Sequence, residues 1–200
     1  MATNSDILNR ILPDCYLYIS HLDEGYQYWQ LPGYSDEVTD SMESKFTPTN
    51  ALGRTAPVYT FSNSGPRTVS IKLTFHRDMF EELNGEPALR KNVADGEDQA
   101  EAFIHALQAI ALPRYNLSNK AIEPPLVAIR LGREVFIKGV VSSGINVTYR
   151  KPILTNEKYA IIDVGFTVSE VDPYDSTTVF TNGSFRGYVS TMRGPECMNF

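Results

Sequence analysis

The sequence predicts a β-dominated α+β domain, a sandwich or small barrel with one flanking helix and extended segments at both ends. Three observations carry this. Val69, Ile71, Leu73 and Phe75 alternate with Thr68, Ser70, Lys72 and Thr74, the period-2 pattern of a half-buried strand. The second half of the chain repeats strand-length apolar runs between turn residues. A full helical stripe falls at 98–112, where Phe103, Ile104, Leu107, Ile110 and Ala111 share one face before Pro113.

Each element follows in order. In 1–15, Ile7, Leu8, Ile11 and Leu12 fall at helical spacing before Pro13, which reads as a short helical or extended arm. Tyr16, Tyr18, Ile19, Tyr26, Tyr28, Trp29 and Leu31, with Gly25 between them, predict a strand, a turn and a second strand over 16–34. The polar, acidic stretch 35–50 is a loop or an extended edge segment. Ala56-Pro57 leads into a strand at 57–62, Asn63-Ser64-Gly65-Pro66 suggests a hairpin-like reversal, and 67–76 follows as the alternating strand. Residues 78–97 turn polar around Asn84-Gly85, Pro87 and Asp95-Gly96, predicting a loop with a short helical turn.

After the helix, Pro124-Pro125 leads into Leu126–Leu131, apolar enough for burial on both faces. Gly132-Arg133 turns the chain into Glu134–Val141, Ser142-Ser143-Gly144 turns it again, and Ile145–Tyr149 alternates. Lys158–Val171 is the longest expected strand, with Ala160, Ile162, Val164, Phe166 and Val168 on one face. The Gly-, Ser- and Thr-rich tail 172–200 has no periodic core face and reads as an extended arm. The whole is expected to be one domain, 1–200.

Composition narrows the function. The 200 residues, 42% apolar and 21% charged, suit one soluble domain, and 11 Tyr with 10 Phe suit a β-rich protein with large contact surfaces. A net charge of −6 leaves no basic excess for neutralising phosphates, which disfavours non-specific nucleic-acid binding. Cys15 and Cys197, near opposite ends, are expected as two reduced thiols rather than a disulfide framework. The start shows no signal-peptide pattern and no apolar run reaches membrane-spanning length, so a chain made in the cytoplasm is expected.

Searching for chemistry yields little. His76-Arg77-Asp78 echoes a kinase catalytic loop but lacks the downstream Asn, the Gly-rich loop and the strand Lys. His21, His76 and His105 have no zinc-type spacing, and Asp36, Glu37, Asp40 and Glu43 do not fit a calcium loop. G-x-S-x-G, Walker-A and G-x-G-x-x-G patterns do not occur. The N-x-[ST] triplets at Asn116, Asn146 and Asn182 are chance matches in a cytoplasmic chain. No catalytic, cofactor-binding or metal residues are expected, and no enzyme. Tyr26, Tyr28 and Trp29 could instead form a stacking platform, so a glycan- or small-ligand-binding β-sandwich is the alternative from another class.

The runs G-R-T-A-P-V (53–58) and S-G-P-R-T-V-S-I-K-L-T-F-H-R-D-M (64–79) resemble baseplate and tail-tube proteins of contractile phage tails. A-L-Q-A-I-A-L-P-R-Y (106–115), P-P-L-V-A-I-R-L-G (124–132) and F-T-V-S-E-V-D-P-Y-D (166–175) fit the same group in order. The nearest members are tube-initiator or tail-tube adaptor proteins, whose longer relatives end in a LysM module; this sequence ends at Phe200 without one, so no peptidoglycan binding is expected. The resemblance implies a tail-tube-like fold whose strands join those of neighbours in a ring, a homo-hexamer, within the virion. Tail-tube and baseplate hub proteins would be its partners, no membrane or cofactor would be needed, and DNA would pass transiently through the lumen. The major tail-tube protein is the alternative within the same class. On this reading Val69, Ile71, Leu73 and Phe75 are core, Lys72 and Thr74 face solvent or a neighbour, and Phe103, Ile104 and Leu107 dock the helix.

Overall fold

The computed structural model describes residues 15–21, 25–33, 35–50, 52–85, 96–112, 114–115, 122–123, 125–132, 135–171 and 176–177. In chain order the elements are β1 (Cys15–His21), β2 (Gly25–Gln30), β3 (Glu37–Ser41), β4 (Ser44–Thr49), β5 (Val58–Ser64), β6 (Thr68–His76), α1 (Arg77–Asn84), α2 (Gln99–Ile110), β7 (Arg114–Tyr115), β8 (Ile122–Glu123), β9 (Leu126–Leu131), β10 (Val135–Val141), β11 (Asn146–Ile153) and β12 (Tyr159–Glu170). The expected arms, 1–15 apart from Cys15 and 172–200 apart from one turn at 176–177, lie outside the described residues, as does Cys197.

An eight-stranded antiparallel sheet organises the chain. Its path runs β2-β1-β9-β10-β12-β6-β3, and β11 pairs with the first half of β12. The centre is the ladder of β6 on β12, from Ile161 opposite His76 to Ser169 opposite Thr68. Both strands alternate, so this register puts Val69, Ile71, Leu73 and Phe75 on the same buried face as Ile162, Val164, Phe166 and Val168. Leu126–Leu131 is buried on both faces, as its unbroken apolar run predicts. Gly139 lies opposite both Val127 of β9 and Glu170 of β12, where β10 passes from one partner to the other. A Cβ there would stand 1.9 Å from the Ser169 carbonyl oxygen, so the crossing admits only glycine.

Both helices lie against that apolar face. Asp98 caps α2 by accepting from the Glu101 N–H at 2.8 Å, and Ala100, Phe103, Ile104, Leu107 and Ile110 are buried. Phe80 of α1 lies 4.7 Å from Phe75, 4.9 Å from Phe103 and 6.2 Å from Trp29, ring centroid to centroid, tying three elements to β2. At the far end of α1, Asn84 pairs with the backbone of Gln30, accepting from its N–H at 2.9 Å and donating to its carbonyl at 3.0 Å. On the opposite sheet face, Tyr16, Tyr18, Tyr28 and Ala128 form a smaller buried cluster.

Three expectations are corrected. First, residues 63–66 are no hairpin joining their flanking strands. Asn63 and Ser64 extend β5, which turns back on β4, while β6 takes β3 and β12. The apolar face of β6 needs a matching partner, and β12 offers one where β5 does not. Second, among the described residues two helices flank the sheet rather than one. The short helical turn expected within the loop over 78–97 is a full eight-residue helix, α1, at its start, whose buried residues are Arg77, Phe80 and Asn84. Two of these are polar anchors that a hydrophobic pattern does not register. Third, the alternation expected over Ile145–Tyr149 holds only at its start: Ile145 and Val147 pack partly buried against the core with Asn146 and Thr148 exposed, but Tyr149 and the rest of β11 to Ile153 are exposed.

The start of both helices is held to β12 by charge. Arg77, buried, donates to the Asp98 carboxylate and to the Tyr159 carbonyl at 3.0 Å. Lys158 reaches Asp98 at 3.0 Å and Glu101 at 2.7 Å. Burial pushes the Asp98 carboxyl up, but the Glu101 N–H, the Lys158 ammonium and Arg77 together hold it below its ordinary 3.8. Bonding to Glu101 and then Asp98 raises Lys158 above 10.5.

Asp98→Ala removes the cap and strips a buried guanidinium of its carboxylate, so it should lower unfolding free energy by about 3 kcal/mol in urea titration. The cluster's contribution should hold between the two ordinary pKa values. It should fade below pH 3.8, as Asp98 protonates at its depressed folded value, and above pH 10.5, as Lys158 deprotonates at its raised one. Asp98→Ala should flatten the acid limb. Gly139→Ala should cost about 3 kcal/mol in the same titration, because only backbone movement can admit the methyl group.

Candidate assembly surface

Between β3 and β6 the chain leaves the sheet as a separate hairpin of β4 and β5. Its base is fastened. The Gly65 N–H donates to the Glu43 carbonyl at 2.8 Å, and Arg67 grips the Asp40 carboxylate through Nε and Nη2 at 2.9 and 2.7 Å. The Arg67 guanidinium is buried and also donates to the Phe136 carbonyl at 3.2 Å. Beyond that base, every residue of β4 and β5 is exposed.

Register divides the hairpin into two faces. Phe46 lies opposite Phe61 and Pro48 opposite Tyr59; Thr47 lies opposite Thr60 and Thr49 opposite Val58. One face is therefore aromatic, with the Phe46 and Phe61 rings 5.6 Å apart. The other is largely threonine, where Thr47 and Ser62 share a 2.8 Å hydroxyl bond. Phe46, Tyr59 and Phe61 are each more than half exposed, and so are Met42 before β4 and Leu52 in the turn between β4 and β5. A two-stranded ribbon is marginal alone in water, and a contiguous apolar patch on one marks a surface awaiting cover. Burying each ring would contribute roughly 1.5–3 kcal/mol before the costs of association.

A second exposed apolar group sits on the sheet itself. The Tyr149 and Tyr159 rings are 5.9 Å apart, and exposed Ile153 lies opposite Tyr159. Among the described residues, β2, β3 and β11 each pair along one edge only.

The residues singled out from sequence fall elsewhere. Lys72 and Thr74 are exposed as expected, and they bind within the chain: Lys72 to Glu37 at 2.5 Å, Thr74 to Asp163 at 2.8 Å. His76 lies 3.9 Å from Asp78, while Arg77 points inward to Asp98, so the His-Arg-Asp run is split between surface and core. His105, exposed, meets Glu97 at 3.0 Å. Within the acidic stretch, Glu37 and Asp40 are engaged by Lys72 and Arg67. Trp29 is 1% exposed and Tyr28 3%, so they offer no platform to a sugar; the Tyr26 side chain, the His21 side chain, Asn116 and Asn182 lie outside the described residues. Sequence reasoning missed the Phe46–Tyr59–Phe61 face. Pro48 was the available signal, because a proline inside a strand places it at the periphery of a sheet.

No protein-family model and no curated protein matches the chain. Solved structures similar to it include one described as the tail of an empty GTA particle with C6 symmetry, at 10% identity over 82% of this chain and 96% of that one, with a TM-score of 0.37. Another, from the virion of a native gene transfer agent particle, shows 9% identity over 78% of this chain and 92% of that one, with a TM-score of 0.33. At those values the likeness carries no assignment of its own.

Proposed function

We propose that this chain is a structural component of a contractile phage tail or related injection particle, forming a ring in the baseplate–tube region that initiates or extends the inner tube. The observation that carries the reading is the outlying hairpin: a firmly based, fully exposed arm with an aromatic face, which an isolated monomer has no use for. The edges of β2, β3 and β11 add backbone groups that a neighbour can pair, and a closed ring removes such edges. The sequence resemblance, spread over 53–175, supplies the particle type and the sixfold count. On this reading residues 1–200 form one domain, with 1–15 and 172–200 as additional arms, and the ring's partners are tube and hub proteins of the same tail.

Sedimentation and negative-stain imaging of the purified chain test this. A ring or stacked tube is expected. Phe46→Ser/Tyr59→Ser/Phe61→Ser, all exposed positions, should keep its melting temperature within about 4 °C and sediment as a monomer. A wild-type chain that remains monomeric with its tail partners present would overturn the proposal.

A further inference from the structure

The two exposed apolar groups lie at opposite corners of the central ladder. The hairpin leaves from Ser41, opposite Thr68, which is opposite Ser169. The Tyr149–Ile153–Tyr159 group sits at the other end of β12, and on its other side, where β11 pairs. Tyr159 to Ser169 spans roughly 30 Å of strand. Both groups are exposed, so the hairpin does not cover the second group within its own chain.

From this placement, and resting on the ring-forming reading above, we infer that the aromatic hairpin face of one copy seats on Tyr149, Ile153 and Tyr159 of the next. The occupant is a second copy of this chain because one molecule carries both apolar halves, and each is left exposed among the described residues of its own chain. Two different surfaces in contact make a heterologous interface, the kind that closes into a ring. Charge agrees. Glu43 stands at the hairpin base and Lys151 on β11, both exposed and neither in an ion pair among the described residues. Arg150 and Lys158 on that side, and Glu37 and Asp40 on the other, are already paired within the chain, which leaves Lys151 and Glu43 as opposite charges available to a neighbour.

Cysteines at the rim test the contact while leaving both apolar groups intact. In a Cys197→Ser background, Asn63→Cys/Lys151→Cys treated with a short bismaleimide should give a ladder of linked copies on a denaturing gel, and each single variant should give none. Sedimentation of the same samples before treatment separates the two levels of the argument. An assembled double variant with no ladder overturns this contact and leaves the ring reading standing. A double variant that sediments as a monomer and gives no ladder, alongside a wild-type chain that stays monomeric with its tail partners present, overturns both.

Discussion

The register of β6 against β12 is the constraint on which the rest depends. Both strands alternate strictly, so a slip by one residue would turn Val69, Ile71, Leu73 and Phe75 outward and their polar partners onto the helices. In the observed register the apolar faces coincide, and Trp29, Phe75, Phe80 and Phe103 close over them. The same ladder distributes everything peripheral. It holds β3 and the hairpin base beside one end of β6, and β11 beside the opposite end of β12.

The helix layer is locked onto that ladder by two kinds of force. Ring packing and apolar burial supply most of the attraction without direction. The cluster of Arg77, Lys158, Asp98 and Glu101 supplies direction, since it satisfies a buried guanidinium only when α1, α2 and β12 meet at their observed ends. Arg67 does the equivalent at the hairpin base, holding Asp40 of β3 to the backbone of β10. A rigid base is what lets an exposed ribbon serve as an arm, because less ordering entropy is lost when it binds.

Much of the body was legible in the sequence because its elements obey simple periods. The faces of β6 and β12, the two-sided burial of β9 and the stripe of α2 follow from spacing alone. What escaped has physical causes. The inward face of α1 is Arg77, Phe80 and Asn84, two of them polar, and their role depends on partners at Asp98 and Gln30 that no local pattern reveals. The turn at 63–66 suggested pairing of its flanking strands, yet pairing is decided by which faces match, and β5 matches β4. The aromatic face of the hairpin stayed hidden because apolar residues in a strand ordinarily signal core, and only register and exposure show that Phe46, Tyr59 and Phe61 are left uncovered among the described residues.

The central claim is that the hairpin of β4 and β5 is an arm for another copy. Hydrogen exchange of assembled particles against dissociated chain tests it directly. The account predicts that amides of Ser44–Thr49 and Val58–Ser64 exchange markedly more slowly in the assembly, while those of β9 and the β6–β12 ladder, already protected, change little. Equal exchange of the hairpin amides in both states, with slowing confined to other segments, would contradict it.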